Sequence, residues 1–194
     1  MVGAGAVLFG SAAAALHGAD GGTRASLGNL SVPWLLLPFW AGLIAGRGSV
    51  VWGALCGVAA TLGGLFGFEL ANVWVLHVVG QNGVDSAWDV FAWVLAGTAF
   101  WGRFALVTGA IFGGLGARWP RTRSRLTLVL LAALAVCEPV GWLVYFRNLP
   151  GYDAFAANSV AWIIEMTVGL LAIMLLALQR IRKSRQPSHW PDSR

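Results

Sequence analysis

Six apolar runs, at residues 2–16, 32–46, 49–79, 88–119, 126–146 and 157–178, alternate with short polar segments. Runs of this kind predict helices that cross a bilayer, which needs about 20 apolar residues. The third is too long for one perpendicular crossing: at 1.5 Å per residue it reaches about 46 Å against roughly 30 Å of hydrocarbon, so it must tilt, protrude or break. The fourth is also too long. Small residues punctuate the pattern. Ala6, Gly10 and Ala14 form a smooth stripe on the first run, and Gly53/Gly57 and Gly109/Gly113 are GxxxG pairs, both suited to close helix packing. The second run carries Pro33 and Pro38, which predict a bent or partly unwound entry. Ala12 and Ala14 resemble a signal-peptidase site, but no Lys or Arg precedes them, so the first run is expected to stay as a helix.

Composition turns the pattern into a class. The chain is 58% hydrophobic and 11% charged, with a mean hydropathy of +0.72, where a soluble domain carries about 25% charged residues. This is the composition of a multi-pass protein of the cell membrane. The net charge of +5 does not point to nucleic acid, because the basic residues sit beside apolar runs. Arg47, the cluster Arg118, Arg121, Arg123 and Arg125, and the tail residues Arg180, Arg182, Lys183, Arg185 and Arg194 fall on one side; Arg24 and Arg147 fall on the other. The positive-inside rule then places both termini in the cytoplasm. The expected architecture is all-α, a polytopic membrane bundle of six transmembrane helices over residues 1–179 with a basic cytoplasmic tail at 180–194. Cys56 and Cys137 lie in apolar runs and suggest neither a metal site nor a disulfide framework.

The polar residues inside the runs carry the candidate chemistry. Glu138, in the middle of the fifth run, is followed by Pro139, which tends to kink a helix. A carboxylate at such depth costs roughly 2.5–3.5 kcal/mol on insertion scales, so it usually faces the bundle interior or a wet cavity. Trp142 and Tyr145 follow at i+4 and i+7 on the same face. Glu69, Asn72 and His77 fall near one face of the third helix, Glu165 enters the sixth about a third of the way in, and Asp89 opens the fourth. Arg103 sits near mid-depth, where pairing with one of the acids is expected. Trp34, Phe39, Trp40, Trp74, Trp93 and Trp162 lie at heights comparable with the acids. Plainer roles exist for several of these: tryptophans anchor helices at interfaces, and Asp89 suits a helix N-terminus.

Walker, HExxH, GxSxG and strand-linked dinucleotide motifs are missing, and no metal or cofactor is implied. A buried carboxyl group can act as a Brønsted acid, and aromatic faces stabilise positive charge developing on a hydrocarbon. That combination suits proton-initiated cyclisation of a prenylated, lipophilic substrate entering from the bilayer. Glu138 is the leading acid, with Glu165 or Glu69 as the second. Trp142, Tyr145 and Trp162 would line the cation's path, with Trp34, Trp40, Trp74, Trp93, Arg103 and Asp89 as further substrate contacts. The same features suit binding of a small solute between tryptophans, with the Ala6, Gly10, Ala14 stripe docking a membrane partner or a second copy. The stretch GNLSVPWLLLPFWAGLIAGR, the glycine-rich third helix and FGGLGARW resemble a family of small actinobacterial multi-pass proteins of unknown function. In size, helix content and buried acids the chain also resembles bacterial membrane-bound terpene cyclases of the indole sesquiterpenoid type, which implies an acid role for Glu69, Glu138 or Glu165. Its plan of helices resembles the substrate-binding components of energy-coupling-factor vitamin transporters, which implies solute binding instead.

Overall fold

A computed structural model describes residues 2–18, 31–46, 48–80, 84–141, 144 and 159–184. Every regular element among them is helical: α1 (Val2–His17), α2 (Ser31–Ala45), α3 (Val50–Val75), α4 (Ala87–Thr122), α5 (Arg125–Gly141) and α6 (Ser159–Ser184). Three helices among the described residues, α3, α4 and the Trp162–Gln179 part of α6, are long and apolar enough to cross a membrane; α1, α2 and α5 are apolar but shorter. The described residues are thus all-helical, and the three long apolar helices are consistent with a membrane protein. The outer surface fits that class, since Val51, Trp52, Phe104, Ile111, Val168 and Leu175 are all exposed. Bilayer contact is the natural setting for so much exposed apolar area.

Local chemistry sets the helix ends. Ser49 caps α3 by accepting from the Trp52 N–H at 3.2 Å. The third run, too long for one perpendicular crossing, breaks before its end: α3 stops at Val75. Its end is a Schellman motif: His77 takes a left-handed φ of 50°, its N–H reaches the Trp74 carbonyl at 3.4 Å, and the Val78 N–H reaches Val73 at 3.1 Å. His77 is therefore exposed in a turn and does not share a helical face with Glu69 and Asn72. Ser86 and Asp89 form a reciprocal capping box at the start of α4. The prolines of α2 do not unwind it, for the helix is continuous from Ser31 to Ala45. Pro33 falls in the first turn, where its missing N–H has no intrahelical partner to lose, and the Pro38 ring is fully buried.

Packing is governed by glycine. α3 and α4 run antiparallel, with Gly53 beside Ala117, Gly57 beside Gly109, Leu62 beside Gly102 and Glu69 beside Gly97. The two GxxxG pairs thus face each other. Gly113 is the node of this packing: a Cβ built on Gly42 of α2, or on Gly53 of α3, would run into the Gly113 backbone. α1 crosses α3 at Gly63, Gly64 and Gly67, and a Cβ on Gly10 would overlap the Gly64 carbonyl. The stripe expected to dock a partner is therefore buried within the fold, with Ala6, Gly10 and Ala14 all buried. The α1 face that remains outside lacks that stripe. In lipid, where no hydrophobic force draws helices together, such backbone-to-backbone contact supplies the dispersion energy of assembly. α5 and α6 pack chiefly on each other, through Gly169 against Ala132, Ala135 and Val136.

Candidate functional site

The polar residues expected to meet in one aromatic-lined pocket are divided among several neighbours. Glu69 has the most distinctive environment. It is 7% exposed on α3, and its carboxyl group occupies a notch left by Gly97 on α4. A Cβ on Gly97 would lie 2.6 Å from Glu69 Cδ and 2.8 and 2.9 Å from the two carboxylate oxygens, so only glycine leaves room. Asn72 follows one turn later on the same face and is 6% exposed. Asn72 Oδ1 and, on α4 beside Gly97, Thr98 Oγ1 are buried without a hydrogen-bond partner among the described residues. Buried polar atoms normally find one, so each such exception calls for an explanation. No cation pairs with Glu69 among the described residues. Trp93 lies one turn before Gly97 on the same side of α4 and is half-buried.

Glu165 has a different task. It is 5% exposed on α6, and its Oε1 accepts the Val32 backbone N–H at 3.2 Å. Val32 belongs to the first turn of α2, whose N–H groups have no intrahelical acceptor and whose dipole favours an anion. Glu165 thus closes α2 from another helix. Trp162, one turn earlier on α6, is also buried.

Trp34 joins an aromatic cluster where α1, α2 and α3 meet. It packs edge-on against Phe9 at 5.2 Å and Phe68 at 5.8 Å between centroids, and Phe68 meets His17 at 6.0 Å. This cluster lies on the α1 and α2 side of α3, whereas Glu69 faces α4. Trp40 and Trp74 are 54% and 74% exposed, as expected of lipid or interfacial contacts. Asp89 serves the α4 cap, accepting from the Ser86 N–H at 2.9 Å and the Ser86 hydroxyl at 2.6 Å. Among the described residues Arg103 pairs with no acid. It is exposed on α4, with its Nε–H directed at the Phe100 carbonyl at 3.4 Å and its guanidinium 5.2 Å from the Phe100 ring centre. It sits on the exposed face of α4, whereas Gly97, Gly102 and Gly109 face α3, and so it stands apart from Glu69.

Glu138 lies within α5, next to a fully buried Pro139, but its side chain falls outside the described residues, as do Trp142 and Tyr145. Thr98 and Gly97 were not singled out from the sequence. The small-residue step AGT opposite an acid on the neighbouring helix is the signal that would have found them. Among the described residues no three His, Cys, Asp or Glu side chains are grouped to hold a metal ion. Comparison with protein-family models, curated proteins and solved structures gives no match to this chain.

Proposed function

We propose that this is a polytopic membrane protein with six crossing helices and both termini in the cytoplasm, and that Glu69 is the acid of a proton-initiated cyclisation of a prenylated, lipophilic substrate. The observation that carries the reading is the Glu69 carboxyl, buried in the α3–α4 seam without a cation beside it among the described residues. Carboxyl groups held in that way inside a membrane bundle are costly and generally functional. In the proposed step the Glu69 O–H bond breaks and its proton passes to a substrate alkene or epoxide oxygen. The resulting cation closes the ring against aromatic faces such as Trp93 and then loses a carbon-bound proton to the carboxylate left on Glu69, or to Glu138 as the second acid, which gives the neutral product and restores the acid. Glu138, with Trp142 and Tyr145, would supply the second acid and more of the lining from α5. Glu165 moves to a supporting role, because one of its oxygens holds the start of α2. The resemblance to membrane-bound terpene cyclases implies the same chemistry.

A second reading is favoured by Asn72 Oδ1 and Thr98 Oγ1, two buried atoms that a polar solute would satisfy and a hydrocarbon would not. It makes the seam the binding site of a small-solute transporter component. Incubating membranes from expressing cells with a farnesylated aromatic substrate, or its epoxide, separates the two. Cyclised product is expected from wild type, with a loss of about 100- to 10,000-fold in Glu69→Gln, since the amide cannot donate that proton. Full turnover by Glu69→Gln at normal expression removes Glu69 from the mechanism. No turnover of any prenyl substrate by wild type, with solute-dependent quenching of tryptophan fluorescence, favours the transporter component.

A further inference from the structure

α4 and α5 are joined by only Arg123 and Ser124, and the left-handed φ of 39° at Arg123 turns the chain sharply between them. A groove of about 450 Å³ opens where they diverge. Its lining is graded. Arg118, Ser124 and Thr127 supply polar groups near the helix ends, and Leu115, Leu126 and Leu130 supply apolar surface. Thr127 is 5% exposed, yet its hydroxyl and that of Ser124 make no hydrogen bond among the described residues. The carbonyls that close α4 are partly occupied, since Trp119 accepts the Arg123 N–H at 2.8 Å and Arg118 accepts the Thr122 hydroxyl at 3.3 Å. The first turn of α5 presents the positive end of its dipole to the same space. Charge, hydroxyl donors and an apolar continuation in one groove match a phosphate attached to an acyl chain.

We propose that this groove holds the phosphate headgroup of an anionic phospholipid, with the start of an acyl chain along Leu115, Leu126 and Leu130. Arg118 supplies the charge-assisted hydrogen bonds to the phosphate oxygens, and Ser124 and Thr127 donate through their hydroxyls. Basic pockets between helices are a recurrent answer to such headgroups. The other arginines of the cluster are not equivalent to Arg118. Arg121 turns away toward the α2–α3 connection, where a Cβ on Gly48 would lie 2.7 Å from its guanidinium nitrogen.

The test is native mass spectrometry of the full chain in detergent, titrated with phosphatidylglycerol, with phosphatidylcholine and separately with inorganic phosphate. Wild type is expected to prefer phosphatidylglycerol over phosphatidylcholine by about tenfold, because the choline cation beside the same phosphate is repelled by Arg118 and offsets much of its attraction. Arg118→Gln should lose that preference, Thr127→Val should lose part of it, and Arg121→Gln should keep it. Equal losses in Arg118→Gln and Arg121→Gln would mean diffuse charge attraction and would overturn the site. Displacement of the lipid by millimolar inorganic phosphate would overturn the lipid assignment in favour of a free anion.

Discussion

Replacing Gly113 by alanine adds one methyl group at the point where α2, α3 and α4 come together. The new Cβ would run into the Gly53 carbonyl oxygen and lie 2.8 Å from Gly57 Cα and 3.0 Å from Gly57 N. All three obstacles are backbone atoms of a packed helix, so no rotamer change removes the clash. α3 and α4 must separate, which also weakens the contacts at Gly53, Gly57 and Gly109. Overpacking of this kind costs about 1–3 kcal/mol. Alanine's better helix propensity offsets at most about 1 kcal/mol, and less here, because membrane helices largely persist in the unfolded state. A net loss of about 1–2 kcal/mol is expected for Gly113→Ala, and more for Gly113→Leu. Reversible unfolding in mixed detergent–SDS micelles, followed by tryptophan fluorescence, would measure it. Gly5→Ala and Gly63→Ala are the controls: nothing lies within 4 Å of a Cβ at Gly5, and the nearest atom to one at Gly63 is 3.5 Å away. Both should unfold like wild type. Wild-type stability in Gly113→Ala would refute the claim that backbone contact at this node holds the bundle together.

Glu165→Leu removes the acceptor for the Val32 N–H and should cost about 1–2 kcal/mol in the same unfolding assay, whereas Glu165→Gln keeps a carbonyl there and should cost less; equal losses would argue against capping. Arg103→Leu should be at least as stable as wild type, since Arg103 contacts only its own helix among the described residues and a mid-membrane arginine costs roughly 2.5–3.5 kcal/mol to insert; marked destabilisation would reveal an important contact. For topology, single cysteines at Arg121 and Ser86, in a background lacking Cys56 and Cys137, should be labelled from the cytoplasmic and the external side respectively; labelling of both from one side would exclude a membrane-crossing α4.

Much of the framework can be read from the sequence because apolar length and small-residue spacing act through the backbone. All six runs contain a helix, and the Gly53/Gly57 and Gly109/Gly113 pairs meet each other. Spacing states which residues share a face, but it does not state what that face meets. Ala6, Gly10 and Ala14 were correctly grouped as a packing stripe, yet α3 rather than a partner covers them. The end of α3 shows the same limit: length requires the run to tilt, protrude or break, but does not say where. Trp74, Val75, Leu76, Val78 and Val79 read as continuing helix, and nothing in their hydrophobicity announces that His77 adopts φ 50°.

The separation of the acids follows from the same limit, and it changes which acid should be tested first. Depth along each helix ranks Glu138 above Glu69 and Glu165, because depth alone measures the cost of burying a charge. The neighbour decides how that cost is met. Glu165 meets it with the free N–H of an adjoining helix start, so a structural role accounts for its burial. Asp89 is solvated and bears no such cost; Ser86 holds it at its own helix start. Glu69 is set against a glycine notch, with two further buried oxygens nearby that lack hydrogen-bond partners among the described residues. Capping explains the first two carboxylates without invoking a substrate, and no such local explanation is available for the third. Glu69, rather than the acid at greatest apparent depth, is therefore the position at which a single Gln substitution best separates chemistry from architecture.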